Sequence, residues 1–429
     1  MDRPPHPFRF RDFRSYFAAR LATTLAQNAM VVVIGWQVYD IARRTMGTRD
    51  AALQLGLIGV VQFVPLLLLT LVVGWTADRI DRRWIARTAV LLEAGCAATL
   101  AWTTYAGTET LTTLFVVAAL LGVSRAFASP ALQALAPNLV PPAVLPSAIA
   151  MSSIAWQVGA IFGPASGGFL YAIDPATPYF VASTLFAIAF VALLLIRPVA
   201  VTTLDRKGNP WAQMVEGLSY VRRNRLVLGA LSLDLFAVLL GGATAMLPIY
   251  ARDLLAVGPQ GLGLLRLSPA IGAVLVAAWF SFNPLRRDVG PKLLVAVAIF
   301  GGATVGFGLS PFLPGGLGIA LGCLALLGAA DMVSVYVRQS LIQLHTPDAM
   351  RGRVGAVSTL FISGSNELGE AESGFLAAAI GPVAAVVGGG IGAILIAVLW
   401  SRWFPELVAA RSFDPPQTLE DAPGQEKAT

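Results

Sequence analysis

Long apolar runs separated by short polar segments are the feature that most restricts what this chain can fold into. Twelve of these runs approach or exceed the length of about 20 mainly apolar residues that crosses a lipid bilayer. Only 13% of the 429 residues are charged, against about 25% in an average soluble domain. A soluble fold of this size needs more polar surface to cover its core, so lipid must surround most of the chain.

The runs predict helices, because lipid cannot satisfy backbone polar groups and because barrel strands alternate over only about ten residues. We therefore expect an all-α polytopic membrane protein with twelve transmembrane helices. The predicted spans are 15–40, 52–75, 85–106, 109–130, 147–171, 177–197, 226–250, 260–282, 291–312, 315–338, 353–378 and 381–404.

An internal repeat relates the two parts of the chain at a spacing of 206 residues. Gly168-Phe169-Leu170 recurs as Gly374-Phe375-Leu376, and Gln133 recurs as Gln339 in the same register. Because six is even, the repeat predicts two pseudo-symmetric six-helix halves in parallel orientation, the build of a rocking transporter with a site at the midplane. The predicted parts are an N-terminal half, 1–197, a cytoplasmic linker, 198–225, a C-terminal half, 226–404, and a disordered cytoplasmic tail, 405–429.

The distribution of Lys and Arg predicts the orientation. With the N-terminus inside, the inner segments hold 24 of the 30 basic residues and the outer loops hold five, which places both termini in the cytoplasm. This bias also explains the basic charge without nucleic acid as a partner. The five residues assigned to outer loops are Arg43, Arg44, Arg49, Arg252 and Arg266, and Arg125 remains as the basic residue well inside a span.

The residues that enzymes and metal sites require are scarce. His6 and His345 lie in a tail and an inner loop, and Cys96 and Cys323 both fall inside predicted spans. Hydrolase constellations, zinc-ligand clusters and a P-loop are absent from the sequence. We therefore expect neither an enzyme nor an ATP-driven pump, and neither a metal nor another cofactor.

The loop after the second span reads Gly-Trp-Thr-Ala-Asp-Arg-Ile-Asp-Arg-Arg over residues 74–83. It resembles the loop signature of the major facilitator superfamily, although Asp81 stands where the family usually has Gly. The resemblance implies a cytoplasmic gating element in which Asp78 caps a neighbouring helix or pairs with an arginine. The alternative is an arginine cluster that only sets topology. The matching residues are Gly74, Asp78, Arg79, Arg82 and Arg83.

The fifth span carries a string of small residues that resembles the antiporter signature of the superfamily's exporters. In the superfamily this signature accompanies export, and its small residues let two helices approach closely while proline bends the span. The alternative is a generic packing face. The residues of the string are Gly159, Gly163, Pro164, Gly167 and Gly168.

Three segments, 124–141, 347–354 and 368–374, are similar to the enterobactin-exporter-like branch of the superfamily. That branch contains siderophore exporters and drug:proton antiporters. The resemblance implies a monomeric transporter of the bacterial inner membrane, which moves a small amphipathic molecule outward against a flow of protons. The proton gradient would then be the driving force, without a cofactor.

A few polar side chains lie inside predicted spans, where a charge costs roughly 2.5–3.5 kcal/mol. At 1.5 Å per residue they form a common layer about 10–15 Å from the inner boundary. Asn28 and Asp234 are equivalent in the repeat, as are Arg125 and Asp331. In the superfamily, spans one, four, seven and ten line the central cavity, which implies a cavity position for four of the five. The layer consists of Asn28, Glu93, Arg125, Asp234 and Asp331.

Arg125 needs an acidic partner, because an unpaired buried arginine is costly. Glu93, Asp234 and Asp331 are the candidates, and we favour Asp234 or Asp331 because a bridge between the halves could form in one gated state and break in another. Such a carboxylate could couple transport to protons; the alternative is a static salt bridge. Glu367 and Glu370 share a face of the eleventh span and form a second candidate site for a proton or a cation.

Two further functions remain open from the sequence. A proton-coupled or facilitative importer of a nutrient would share the fold, although the antiporter-like string argues against it. A membrane sensor or enzyme would need a soluble domain or a catalytic constellation. The sequence favours export of a drug-like or siderophore-like molecule.

Overall fold

The computed structural model describes residues 6–198 and 210–413 of the chain. The N-terminal half contains six long helices, and α7 follows in the linker. Their bounds are α1 Arg11–Thr45, α2 Thr48–Arg79, α3 Arg82–Tyr105, α4 Leu111–Leu135, α5 Leu145–Ile173, α6 Thr177–Leu194 and α7 Pro210–Arg223.

The C-terminal half repeats this pattern with an interrupted first span. The bounds are α8 Arg225–Leu240, α9 Leu247–Ile249, α10 Gly258–Phe282, α11 Val289–Leu309, α12 Gly316–Leu344, α13 Asp348–Ile380 and α14 Pro382–Trp403, followed by a short α15, Pro405–Ala409. Eleven stretches are long and apolar enough to cross a membrane. Helix α13 supplies the twelfth predicted span, although its acidic and basic residues make it more polar. The all-α polytopic fold class is confirmed.

Residues 405–413 differ from the prediction of a disordered tail. Helix α15 places Leu407 in full burial against the second half. The backbone N–H of Gly290 donates to the carbonyl of Ala410 at 3.0 Å, and the Arg411 guanidinium pairs with Asp288 at 2.6 Å. Leu407, with Val408, Ala410 and Phe413 packed against the same cluster, anchors this stretch. Residues 414–429 lie outside the described part of the chain.

Within each half, small residues bring two helices into close contact. A Cβ atom on Gly163 would lie 2.8 Å from the Asn28 Cβ atom of α1. In the second half the equivalent Gly369 packs against α8, where its Cβ atom would lie 3.0 Å from the carbonyl oxygen of Val238. The sequence repeat therefore corresponds to a repeated packing: α5 lies on α1 as α13 lies on α8.

The two halves meet at a second pair of small residues. A Cβ atom on Gly168 of α5 would lie 2.6 Å from the backbone nitrogen of Gly263 in α10. Its repeat equivalent, Gly374 of α13, faces Gly56 of α2 in the same way, since a Cβ atom on Gly56 would lie 2.9 Å from the Gly374 Cα atom. Both contacts lie towards the outer ends of their helices, so the outer side is where the halves are joined.

The seventh span is not a continuous α-helix. Helix α8 ends at Leu240, a 3₁₀ turn covers Ala243–Met246, and a π-helical turn covers Tyr250–Leu254. A Cβ atom on Gly242 would lie 2.8 Å from the carbonyl oxygen of Gly369 and would overlap Ser373. The change of helix type therefore coincides with the closest approach of the seventh span to α13.

We expect Gly163→Ala to destabilise the protein by about 1–3 kcal/mol, the usual effect of overpacking a close contact. The added methyl group meets the backbone of α1 as well as Asn28. Thermal unfolding of the purified protein in detergent measures the change. Gly95→Ala is the matched control, because a Cβ atom at Gly95 meets nothing within 4 Å and alanine favours the helix. Equal shifts for the two variants would contradict the packing role.

Candidate functional site

The predicted cytoplasmic gating element is described only in part. Gly74, Asp78 and Arg79 lie outside the residues whose side chains the structure describes. Arg82 donates to the carbonyl oxygen of Ala134 at 3.3 Å, a contact within the N-terminal half. In the described part of the element, the contact made by Arg82 therefore stays within the N-terminal half.

Asp81, where this chain departs from the superfamily signature, caps the N-terminus of α3. Its carboxylate accepts from the backbone N–H of Arg83 at 2.9 Å and pairs with the Arg83 guanidinium at 2.5 Å. The hydrogen bond from the Arg83 side chain holds the pKa of Asp81 below its ordinary value against the opposing effect of burial. This cap therefore stabilises the fold at neutral pH and is lost as the pH falls through the lowered pKa.

The antiporter-like string of α5 contacts both halves. Gly159, Gly163 and Gly167 face α1, where Cβ atoms would lie 2.6 to 2.9 Å from its nearest atoms, and Gly168 faces α10. Pro164 lies inside the helix between these contacts. One face of α5 therefore packs on α1 within its own half, and another face packs on α10 of the other half.

Glu93 is fully buried in α3. Its carboxylate accepts from the Gln27 side-chain nitrogen at 2.6 Å, and the second oxygen has no hydrogen-bond partner. Arg125 is near enough for charge attraction to Glu93. Of the three predicted candidates, Glu93 is therefore the acid that the structure brings towards Arg125.

Asp234 pairs with Arg338 instead of Arg125. The two side chains form a salt bridge and are only 8% and 3% exposed. The favoured partnership of Arg125 with Asp234 is therefore wrong for this structure, and so is the prediction that Arg125 is the only basic residue well inside a span. The reason is that α12 runs on to Leu344, six residues beyond its predicted end, which places Arg338 inside the helix.

Arg266 was assigned to an outer loop, but it lies within α10. Its Nε atom is buried without a hydrogen-bond partner, and Glu370 of α13 is near enough for charge attraction. Glu370 also faces the other half, since a Cβ atom on Gly59 would lie 3.7 Å from the Glu370 Cβ atom. The side chain of Glu367 lies outside the described residues, so its proposed sharing of a site with Glu370 stays a prediction.

Asn28 and Asp331 complete the predicted polar layer. Asn28 donates to the carbonyl oxygen of Thr24 on its own helix at 2.9 Å and faces Gly163. Asp331 is half-buried in α12. Among the described residues no hydrogen-bond or ion-pair partner is found for its carboxylate, which distinguishes it from the other acids of the layer.

A cluster of ion pairs joins the two halves at their outer ends, and we call these residues the outer ion-pair cluster. Asp253 accepts from the Tyr39 hydroxyl at 2.6 Å and from Arg43 at 2.8 Å. Arg252 donates to Asp40 at 2.8 Å and to Asp253 at 3.1 Å. Three residues come from the end of α1 and two from the π-helical turn of the seventh span. Sequence reasoning missed the cluster because it assigned these arginines only to outer loops.

A polar cavity of about 470 Å³ lies at the opposite, inner ends of α12 and α13. Its polar lining comes from both helices. The lining includes Gln339, Gln343, Thr346, Ser358 and Thr359. The halves are thus joined by ion pairs on the outer side, and the C-terminal half provides hydrogen-bonding groups on the inner side.

Comparison with known proteins gives the family. The model of the transmembrane secretion effector family matches residues 3–420. The chain belongs to this family. The match confirms the resemblance to the major facilitator superfamily that the motifs suggested, and it makes the protein a multi-pass membrane transporter.

Enterobactin exporters are among the similar proteins. EntS of Escherichia coli O127:H6 is 26% identical over 415 residues, which cover 96% of each chain. EntS of Shigella boydii serotype 18 is 26% identical over 417 residues, with the same coverage. These similarities support the predicted branch.

Solved structures of the same fold include transporters with different cargoes. The nucleoside transporter NupG matches with a TM-score of 0.71 at 11% identity, over 92% of this chain and all of that chain. A D-xylose–proton symporter matches with a TM-score of 0.70 at 14% identity, over 92% and 98%. At these identities the matches show the fold alone.

For this family member we expect Asp234→Asn to destabilise the fold by about 3–5 kcal/mol, because it leaves the Arg338 charge buried without a partner. The double variant Asp234→Asn/Arg338→Gln should recover part of that loss, since no charge then remains. Thermal unfolding of Asp234→Asn, Arg338→Gln and the double variant measures both effects. Additive losses in the double variant would contradict a direct pair.

We expect Asp253→Asn to open the outer side, because it removes the carboxylate that holds Arg43 and Arg252. Two ion pairs of up to about 1 kcal/mol each imply a shift of about tenfold. Labelling of a cysteine introduced at Ala165, in a background without the native cysteines, reports the opening to an impermeant maleimide added outside. Asp50→Asn, an exposed acid of α2, is the control. Unchanged labelling in Asp253→Asn would show that the cluster does not gate.

Proposed function

We propose that this secondary transporter exports a small amphipathic molecule, siderophore-like or drug-like, and that protons moving inward drive the export. The Gly-Pro-Gly-Gly string of α5 supports the outward direction, since in the superfamily that string accompanies export. The similarity to enterobactin exporters supports a cargo of this kind. The bacterial inner membrane and a monomeric state belong to the same proposal.

Alternating access has a physical basis in the contacts between the halves. Gly168 against Gly263 and Gly56 against Gly374 are contacts of backbone with backbone, so the helices can separate without breaking hydrogen bonds. The outer ion-pair cluster is the set of polar bonds that must break for the outer side to open. When the two halves rock and the outer side opens, a few ion pairs at the outer surface break and their charged groups bind water instead.

The single observation that carries the proton-coupling proposal is the unpartnered carboxyl group of Asp331. Glu93 is held by Gln27, and Asp234 is held by Arg338. A carboxyl group holds its proton where water is excluded and releases it where water reaches it. Without an ionic partner, Asp331 is free to change its charge as rocking changes its access to water.

Asp234 and Arg125, which the sequence analysis considered for proton coupling, have different roles in this proposal. A carboxylate in a buried salt bridge must lose its partner before it can take a proton, which costs several kcal/mol. We therefore propose that Asp234 with Arg338 and Glu93 with Arg125 stabilise the helix layer. Asn28 and the pair Arg266–Glu370 line the space between the halves.

The direct test of export uses everted membrane vesicles and a pH-sensitive dye. Addition of a transported cargo should release protons from the acidified lumen in vesicles that contain the protein and not in vesicles without it. A panel of drug-like and siderophore-like molecules supplies the cargo. Transport with no proton movement for any cargo would favour facilitation and overturn the coupling proposal.

We expect Asp331→Asn to abolish transport driven by a pH gradient while leaving exchange of labelled for unlabelled cargo intact. Loss of the titrating group uncouples the proton but does not remove the cargo site. Proteoliposomes with and without an imposed gradient separate the two activities. Glu372→Gln, the substitution of a half-buried acid of α13, should keep both. Gradient-driven transport at the normal rate in Asp331→Asn would exclude Asp331 as the proton site.

A further inference from the structure

Arg20 of α1 is a buried base with no acid beside it. Arg20 is only 7% exposed, and its Nε atom has no hydrogen-bond partner. In the part of the chain that the structure describes, no carboxylate pairs with its guanidinium. The hydroxyl of Tyr16, one turn earlier, is near enough to interact with its charge.

Three other bases within the spans differ in this respect. Arg338 pairs with Asp234, Arg125 is attracted by Glu93, and Arg266 is attracted by Glu370. A buried charge without a partner is costly enough that proteins rarely retain one. In the part of the chain that the structure describes, Arg20 is therefore a buried base that lacks a negative group.

The surroundings of Arg20 contain a second unsatisfied donor. Thr23, three residues further along the same helix, is 1% exposed and its hydroxyl has no partner. Neighbouring polar groups are already bonded: Tyr16 to Ser152 at 2.7 Å, and Thr24 to the Arg20 carbonyl at 2.8 Å. Two unsatisfied buried donors one turn apart form a site that suits an oxygen-rich anion.

The position of Arg20 places this site in the inner part of α1, on the side that packs against α5. Arg20 lies nine residues after the start of α1, roughly 14 Å along the helix from its inner end. It shares a helix face with Thr24 and Asn28, which pack on Gly159 and Gly163 of α5. The site therefore lies between the cytoplasmic surface and the polar layer.

We propose that Arg20, assisted by Thr23, binds an acidic group of the exported molecule, so that the cargo is a small organic anion. This inference rests on the proposed function of export. An anion suits that function, because an inside-negative membrane potential drives an anion outward and a proton inward. The cargo anion at Arg20 and the proton at Asp331 then occupy separate groups.

The test uses two probes that share a ring system and differ in charge: naphthalene-2-sulfonate and the uncharged naphthalene-2-sulfonamide. The full chain is reconstituted in phosphatidylcholine vesicles, and the KM for transport is measured for each probe. We expect Arg20→Gln to raise the KM of the sulfonate about 10- to 100-fold, as the loss of a charged hydrogen bond implies. The KM of the sulfonamide should be unchanged.

Two further variants separate binding from folding. Arg20→Lys keeps the positive charge and should retain a sulfonate KM within about tenfold of the parent. Arg14→Gln removes an exposed arginine of the same helix and should change neither KM. If Arg20→Gln is poorly folded, Thr23→Val supplies the second test, and we expect it to raise the KM of the sulfonate alone.

Three outcomes would overturn the proposal. In the first, the parent protein neither transports nor binds the sulfonate. In the second, Arg20→Gln raises both KM values equally, which indicates a static role in packing. In the third, its effect appears only when phosphatidylglycerol is added, which makes a lipid headgroup the anion. Continued proton-coupled export of other cargoes in the vesicle assay would show that the proposed function survives this failure.

Discussion

The high free energy of a charge in lipid is the constraint on which this structure depends. It removes charged residues from the outer surfaces of the spans and obliges those that remain to find partners inside. Asp234 meets Arg338, and Glu93 takes a hydrogen bond from Gln27 near Arg125. In the part of the chain that the structure describes, Arg20 and Asp331 have no such partner, and one lies in each half. Groups without a structural partner are available for ligands and protons.

Close backbone contacts are the second requirement, because halves that rock cannot be joined by interdigitated side chains. Gly168 and its repeat equivalent Gly374 both lie at such contacts, against Gly263 and Gly56. One residue position, duplicated, thus forms both interfaces between the halves. The similar surfaces on the two sides of the central axis favour a rigid-body motion of one half against the other.

The sequence predicted the spans, the repeat and the small-residue contacts because each depends on local composition and spacing. It did not predict the ionic partners, because pairing depends on how each helix is rotated and on which helices are neighbours. Arg338 shows the difficulty: an error of six residues in the end of α12 moved a buried base into a loop. Asp81 shows another, since its departure from the family signature is a helix cap that only the fold reveals. Arg266 was counted with the outer loops although the predicted span 260–282 already contained it.

The charged residues do not follow the repeat that the backbone follows. Asp40 and Arg43 of the outer ion-pair cluster correspond to Met246 and Ile249 in the second half, so the cluster arose once and not twice. Arg20 corresponds to Leu226, and Asp331 to Arg125. Because the halves are parallel, the repeat relates one half to the other and does not relate the inner side of the membrane to the outer side. The symmetric glycine contacts therefore account for the motion of one half against the other, whereas the charges, which differ between the halves, are where the choice of cargo and the proton site must reside.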